Sequence, residues 1–131
     1  MASIELLLRR LADPAAAGEL FGGLAREPVE VLAFAYLGAG ERLLGLRHAR
    51  SARADAHGLP VREVVRDVLA FGAVGVVMAH NHPGGDPTPS EADRAATRLL
   101  ARALDPLGVR LLDHLIVADR GIVSFRALGL L

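Results

Sequence analysis

One stretch of this chain, His80 to Pro89, constrains the fold more than any other. It holds two glycines and three prolines. Proline lacks a backbone donor and fixes its φ, so neither a helix nor a central strand can cross this stretch. On one side, Val74 to Ala79 is an unbroken apolar run, the pattern of a short strand buried on both faces. On the other, Ser90 to Leu104 is amphipathic at helical spacing. Strand, turn and helix in that order predict a sheet with helices packed against it.

The rest of the chain supplies the remaining layers. Ile4, Leu7, Leu8 and Leu11 recur at helical intervals, and Asp13 can cap a second short helix with Pro14 at its first position, Leu20, Phe21 and Leu24 forming its apolar face. Val29 to Leu37 is dense in β-formers, Gly38-Ala39-Gly40 punctuates it, and Arg42 to Leu46 resumes the pattern, which predicts a β-hairpin. Residues 47–58 are polar and without period, and are expected to form a loop. Pro60 opens a helix with Val61, Val64, Val65, Val68 and Leu69 on one face and Gly72 at its end. Val109 to Val117 and Ile122 to Phe125 read as strands. The expected fold class is α/β, a sandwich of one mixed β-sheet covered by helices.

A chain of 131 residues, half of them apolar, can bury the core of one ordinary domain. With 15 basic and 15 acidic residues the formal charge is zero, so nucleic-acid binding finds no support in charge. The chain has no cysteine, which excludes disulfides and thiolate ligands and leaves histidine and carboxylate for any metal site. The first residues, Met-Ala-Ser-Ile-Glu, show no basic region ahead of an apolar stretch, and no apolar run reaches the roughly 18 residues of a membrane span. A cytoplasmic protein without membrane association is expected.

Chemistry concentrates in the same constraining stretch. In an extended backbone His80 and His82 point to one side while Asn81 points away. The turn then brings the chain back, so that Asp93 in the first turn of the next helix can approach the same point. Two imidazoles and one carboxylate suit zinc, with a fourth position open to water or substrate. A second reading stands beside this one. Ser90-Glu91-Ala92-Asp93 is also a capping box, in which Asp93 serves the helix rather than a metal.

The run His80-Asn81-His82-Pro83-Gly84-Gly85-Asp86-Pro87-Thr88-Pro89-Ser90, followed by Asp93, is similar to the JAMM motif of JAB/MPN domains, in its RadC-like form. The likeness continues through Leu112-Asp113-His114-Leu115-Ile116-Val117 and Ser124-Phe125 and covers roughly residues 29–131, leaving 1–28 as an N-terminal helical segment packed on the domain. It implies an MPN sandwich of cytidine-deaminase-like type, a zinc metallopeptidase or isopeptidase chemistry, and a protein or peptide substrate or partner. By position, His80, His82 and Asp93 would hold one zinc ion (Zn2+) per chain, and Ser90 would hydrogen-bond its water or the developing oxyanion.

The resemblance also implies a general-base Glu just after the second strand of the hairpin. Leu44-Gly45-Leu46-Arg47-His48-Ala49-Arg50 contains no carboxylate, and the usual Gly-Thr that follows is replaced by Ser51-Ala52-Arg53 or its neighbours. Glu41 and Asp55 are the nearest acids. His48 takes the vacant place, either as a base, since imidazole titrates near 6.5, or as a fourth zinc ligand that closes the site. A catalytically silent zinc module that binds a protein partner is therefore the alternative. An accessory role in DNA repair, associated with the RadC-like name, is a further one, weakened by the neutral charge and the absence of a helix-hairpin-helix region. Asp113 and His114 can reach the site from a neighbouring strand, though alternation admits only one of them, and both read as structural. Asp86 either lines the entrance or holds the turn, and His57 carries no signal. The oligomeric state is left open.

Overall fold

The computed structural model describes residues 20–39, 42–50 and 52–131. Five strands, β1 (Leu32–Leu37), β2 (Leu43–Ala49), β3 (Gly75–Asn81), β4 (Arg110–Ala118) and β5 (Gly121–Ser124), form one sheet in the order β2-β1-β3-β4-β5. Among the described strands only the β3–β4 pair is parallel. Parallel neighbours need a crossover, and α2 (Glu91–Leu104) provides it, while α1 (Val61–Phe71) connects β2 to β3. The α/β class with a mixed sheet is thus observed. The expected helix over residues 4–11, the Asp13 cap and Glu41 lie outside the described residues.

Strands β1 and β3 occupy the middle of the sheet and are buried along their whole length. Leu32, Phe34, Tyr36, Val76 and Met78 face α1 and α2, meeting Val64 and Val68 of the first helix and Ala96, Leu100 and Leu104 of the second. Ala33, Ala35, Leu37, Val77 and Ala79 face the other way, against Phe21 and Leu24 at the 3-10 turn Gly22–Arg26. Each of these large side chains, fully removed from water, contributes roughly 1.5–3 kcal/mol.

Three local differences from the sequence expectation have physical causes. Strand β2 runs on through Arg47, His48 and Ala49, because pairing with β1 continues to Leu32↔Ala49 in spite of the polar side chains. Such residues are tolerated on an edge strand, whose outer side faces water. In α1 the buried face comprises Val64 and Val68, whereas Leu69 is 65% exposed. Phe71 takes over at the end of the helix, its ring 5.3 Å from that of Tyr36. In β4 the register against β3 slips from Val76↔Leu111 to Val77↔Asp113, which leaves Leu112 as the extra residue of a β-bulge. That bulge inverts the alternation. Leu111 belongs to the core under the helices, whereas Leu115 and Val117 belong to the opposite one, so His114 and Ile116 turn to the helix side.

Candidate metal centre

The carboxyl end of β3 and the start of α2 meet at one point. His80, inside β3, is in register with Leu32 and Ile116 and faces the helices. Asn81 faces the other way, where its amide oxygen accepts from Val31 N at 2.6 Å and its nitrogen donates to the carbonyl of Val29 at 2.9 Å. Clamped in this way, Asn81 anchors the end of the strand and sets where its two histidine neighbours begin. His82, just past the strand, donates from Nδ1 to the backbone carbonyl of Asp86 at 2.8 Å. The Asp86 side chain holds the turn itself, accepting from Thr88 N and Oγ1.

The capping box and the metal-ligand reading of Asp93 prove compatible. Ser90 Oγ accepts from Asp93 N, and Ser90 N donates to Asp93 Oδ2 at 2.8 Å, so the helix is capped reciprocally. The same carboxylate places Oδ1 3.1 Å from His80 Nε2 and Oδ2 3.1 Å from His82 Nε2. The two imidazole nitrogens are themselves 3.1 Å apart. Burial alone would push the Asp93 carboxyl up, but the close approach of the His80 ring and the bonds with Ser90 outweigh it and hold the group well below the usual carboxylate range.

These distances test whether the residues fit a metal. Ligand atoms at about 2.0–2.1 Å from a tetrahedral zinc lie about 3.3–3.4 Å from one another; here the two imidazole nitrogens are 3.1 Å apart, each is 3.1 Å from a different oxygen of Asp93, and one ligand atom from each residue lies within 4.8 Å of the other two. With Nδ1–H of His82 committed to the Asp86 carbonyl, the neutral ring presents a lone pair at Nε2. Converging lone pairs and a carboxylate repel one another unless a proton or a cation sits among them. His80, His82 and Asp93 are the one group among the described residues with such ligand-forming geometry. His80 and Asp93 are sealed in the interior, while the His82 side chain keeps 22% exposure and marks the open side.

The structure does not bring His48 to this point. His48 pairs with Ala33, and Ala33 with Ala79, so its side chain belongs to the sheet face opposite His80, and it is exposed. Ala49 is the β2 residue in line with Leu32 and His80. Asp55 is equally remote, its carboxylate holding the loop through Gly58 N, Arg53 Nε and His57 N. A groove of about 510 Å3 between β2 and α1, lined by Tyr36, Arg47, His48, Glu63 and Asp67 among others, includes none of the three candidate ligands. Ser90 stands at the exposed mouth beside Asp93. Its oxygen accepts the capping bond, and among the described residues its hydroxyl donates no hydrogen bond.

Behind the site stand His114, which the sequence offers as able to reach it but reads as structural, and Thr97, which sequence reasoning missed. His114 Nε2 lies 2.7 Å from His80 Nδ1, and its own Nδ1 lies 2.6 Å from Thr97 Oγ1. Burial above all pushes the His114 imidazole well below its ordinary range, Asp93 opposing only in part. Asp113 points away and binds Ser124 Oγ, His114 N and Arg126 N, a structural junction between β4 and the C-terminal turn.

The fold and these side chains define an α/β domain with a histidine–carboxylate site at the end of a buried strand. Residues 11–130 match the RadC-like JAB domain, and the chain belongs to that family. It is similar to a UPF0758 protein of Xanthomonas campestris, 40% identical over 120 residues, which covers 91% of this chain and 53% of the relative. It is likewise similar to UPF0758 proteins of Alcanivorax borkumensis, at 38% identity over 98% of this chain and 62% of the relative, and of Pseudomonas fluorescens, at 39% over 81% and 47%. The chain spans about half the length of the curated relatives it matches. No helix among the described residues is long and apolar enough to cross a membrane.

Proposed function

We propose that this chain is a zinc-binding domain in which His80, His82 and Asp93 hold one Zn2+, and that its chemistry is the hydrolysis of peptide-like amides, at a low rate. The observation that carries the reading is the convergence of His80 Nε2 and His82 Nε2, 3.1 Å apart, on the Asp93 carboxylate, whose Oδ1 and Oδ2 lie 3.1 Å from the first and the second ring respectively. Bound there, zinc would polarise a carbonyl and acidify a water. The chain's own contribution is positional. Three protein ligands leave the side next to His82 open, and the Ser90 hydroxyl at that mouth can donate to a substrate oxygen. Residues 44–50 supply no carboxylate as a base, and His48 faces the other side of the sheet. Without a base, the proton-transfer contribution of roughly 10²- to 10⁴-fold is forfeited.

That absence favours a second reading, a zinc-containing module that holds a protein or peptide partner without cleaving it. The two share the metal and separate on turnover. Equilibrium dialysis against zinc is expected to show about one ion per chain, and the His80→Ala/His82→Ala variant none. Retention of stoichiometric zinc by that variant would place the metal elsewhere. Against a panel of isopeptide and short-peptide amides, cleavage by the zinc-loaded protein is expected to be absent or slow. Brisk cleavage would show that another group, such as Glu41, completes the site as base.

A further inference from the structure

The hydrogen bonds behind the ligands form a directed chain. Thr97 Oγ1 sits 2.8 Å from the carbonyl of Asp93, one turn back on α2, and can only donate to it. Having spent its single proton there, the hydroxyl must accept from His114 Nδ1 at 2.6 Å, so Nδ1 is the protonated nitrogen of that ring. In neutral imidazole the other nitrogen is then an acceptor. His114 Nε2, 2.7 Å from His80 Nδ1, accepts a proton that His80 must supply. His80 Nδ1 therefore carries hydrogen, and Nε2 is the atom offered to Asp93 and His82.

We propose that His114, oriented by Thr97, is the positioning residue of this site: it fixes His80 as the Nδ1–H tautomer, with Nε2 aimed at the metal position. The inference rests on the metal-centre reading for its purpose, but its geometry stands alone. His114 is fully buried and Thr97 is 3% exposed, so no water competes for the bonds. The Phe125 ring, 4.4 Å from that of His114, stacks on it and limits its rotation. The β4 bulge at Leu112 is what turns His114 towards His80. A carbonyl oxygen fixes the tautomer of His82 in the same sense. Both ligands thus have their second nitrogen tied, the pattern by which partners behind a metal site tune its affinity.

The test is zinc affinity by chelator competition, on the full chain, for the unaltered protein and for His114→Phe, His114→Gln and Thr97→Val. Phenylalanine preserves the stack on Phe125 but gives His80 Nδ1 no acceptor, and affinity is expected to fall about 10- to 100-fold. Glutamine, whose amide oxygen can accept from His80, is expected to restore most of that loss, which a packing role alone would not predict. Thr97→Val, which removes the acceptor that orients His114, is expected to fall between the two. A folded His114→Phe protein that binds zinc as tightly as the unaltered one overturns the proposal. Long-range ¹H–¹⁵N spectra of the imidazoles, with only five histidines to assign, give a readout independent of any variant's folding. Protons on Nδ1 of both His80 and His114 support the relay, and a proton on His114 Nε2 overturns it. If the unaltered protein binds no zinc, the metal-centre reading fails while the tautomers still judge the relay.

Discussion

Replacing Asp93 by asparagine separates two roles that one carboxylate performs. As a cap, Asp93 Oδ2 accepts from Ser90 N at 2.8 Å, and an amide oxygen can accept the same bond. As a ligand it supplies charge, which an amide cannot. In chelator, Asp93→Asn is expected to cost about 1.5 kcal/mol, the size of one charge-assisted hydrogen bond reduced to a neutral one. This cost is present above the ordinary carboxylate pKa and is lost as pH falls through the depressed value in the fold. With free zinc at a hundredfold excess over Kd, the unaltered protein gains about 2.7 kcal/mol. At about 4 °C per kcal/mol for a domain of this size, Tm rises by roughly 10 °C. The assay is thermal unfolding followed by circular dichroism, with and without zinc, on both proteins. The increment, rather than the starting Tm, is the test. Asp93→Asn is expected to lose nearly all of it, and an equal increment in both proteins would leave Asp93 as a cap alone.

Other perturbations address the residues that hold the site in place. Asn81→Leu leaves Val31 N without a partner in the interior and is expected to destabilise by about 1–3 kcal/mol in urea titration; a change below about 0.5 kcal/mol would mean that water replaces the clamp. His114 is held neutral in the fold, whereas the unfolded ring titrates near 6.5. Its contribution is therefore complete above pH 6.5 and is lost below it at about 1.4 kcal/mol per pH unit, until the folded group itself titrates. The difference in unfolding free energy between the unaltered protein and His114→Gln, both in chelator, is expected to show that slope, and a pH-independent difference would contradict it.

How far the sequence reveals this molecule depends on which interactions are local. The turn at 80–89, the capping box at Ser90 and Asp93, and the parity of His80 and His82 are short-range features, and each appears in the structure where the residues place it. The competition between cap and ligand at Asp93 could not be resolved from spacing, because it takes the side-chain positions to see that one carboxylate accepts the capping bond at Oδ2 and still meets His80 at Oδ1 and His82 at Oδ2. Strand β2 extends beyond its apolar residues because an edge strand needs only one buried face, which alternation through Arg47 and His48 obscures. The choice between Asp113 and His114 was hidden for a different reason. Strict alternation from Leu111 carries the helix-facing side to Asp113, and only the inserted Leu112 exchanges Asp113 for His114. A bulge depends on pairing between strands, here Gly75 and Val76 against Arg110 and Leu111, and no run of residues within β4 announces it.

The central claim is that His80, His82 and Asp93 surround one metal ion, and anomalous diffraction at the zinc edge from crystals grown with zinc tests it most directly. The account predicts a single strong peak per chain, within bonding distance of His80 Nε2, His82 Nε2 and an Asp93 oxygen, with the remaining coordination open towards solvent beside Ser90. A site without that peak, or a stronger peak at His48 or His57 with the three residues unmetallated, would contradict it.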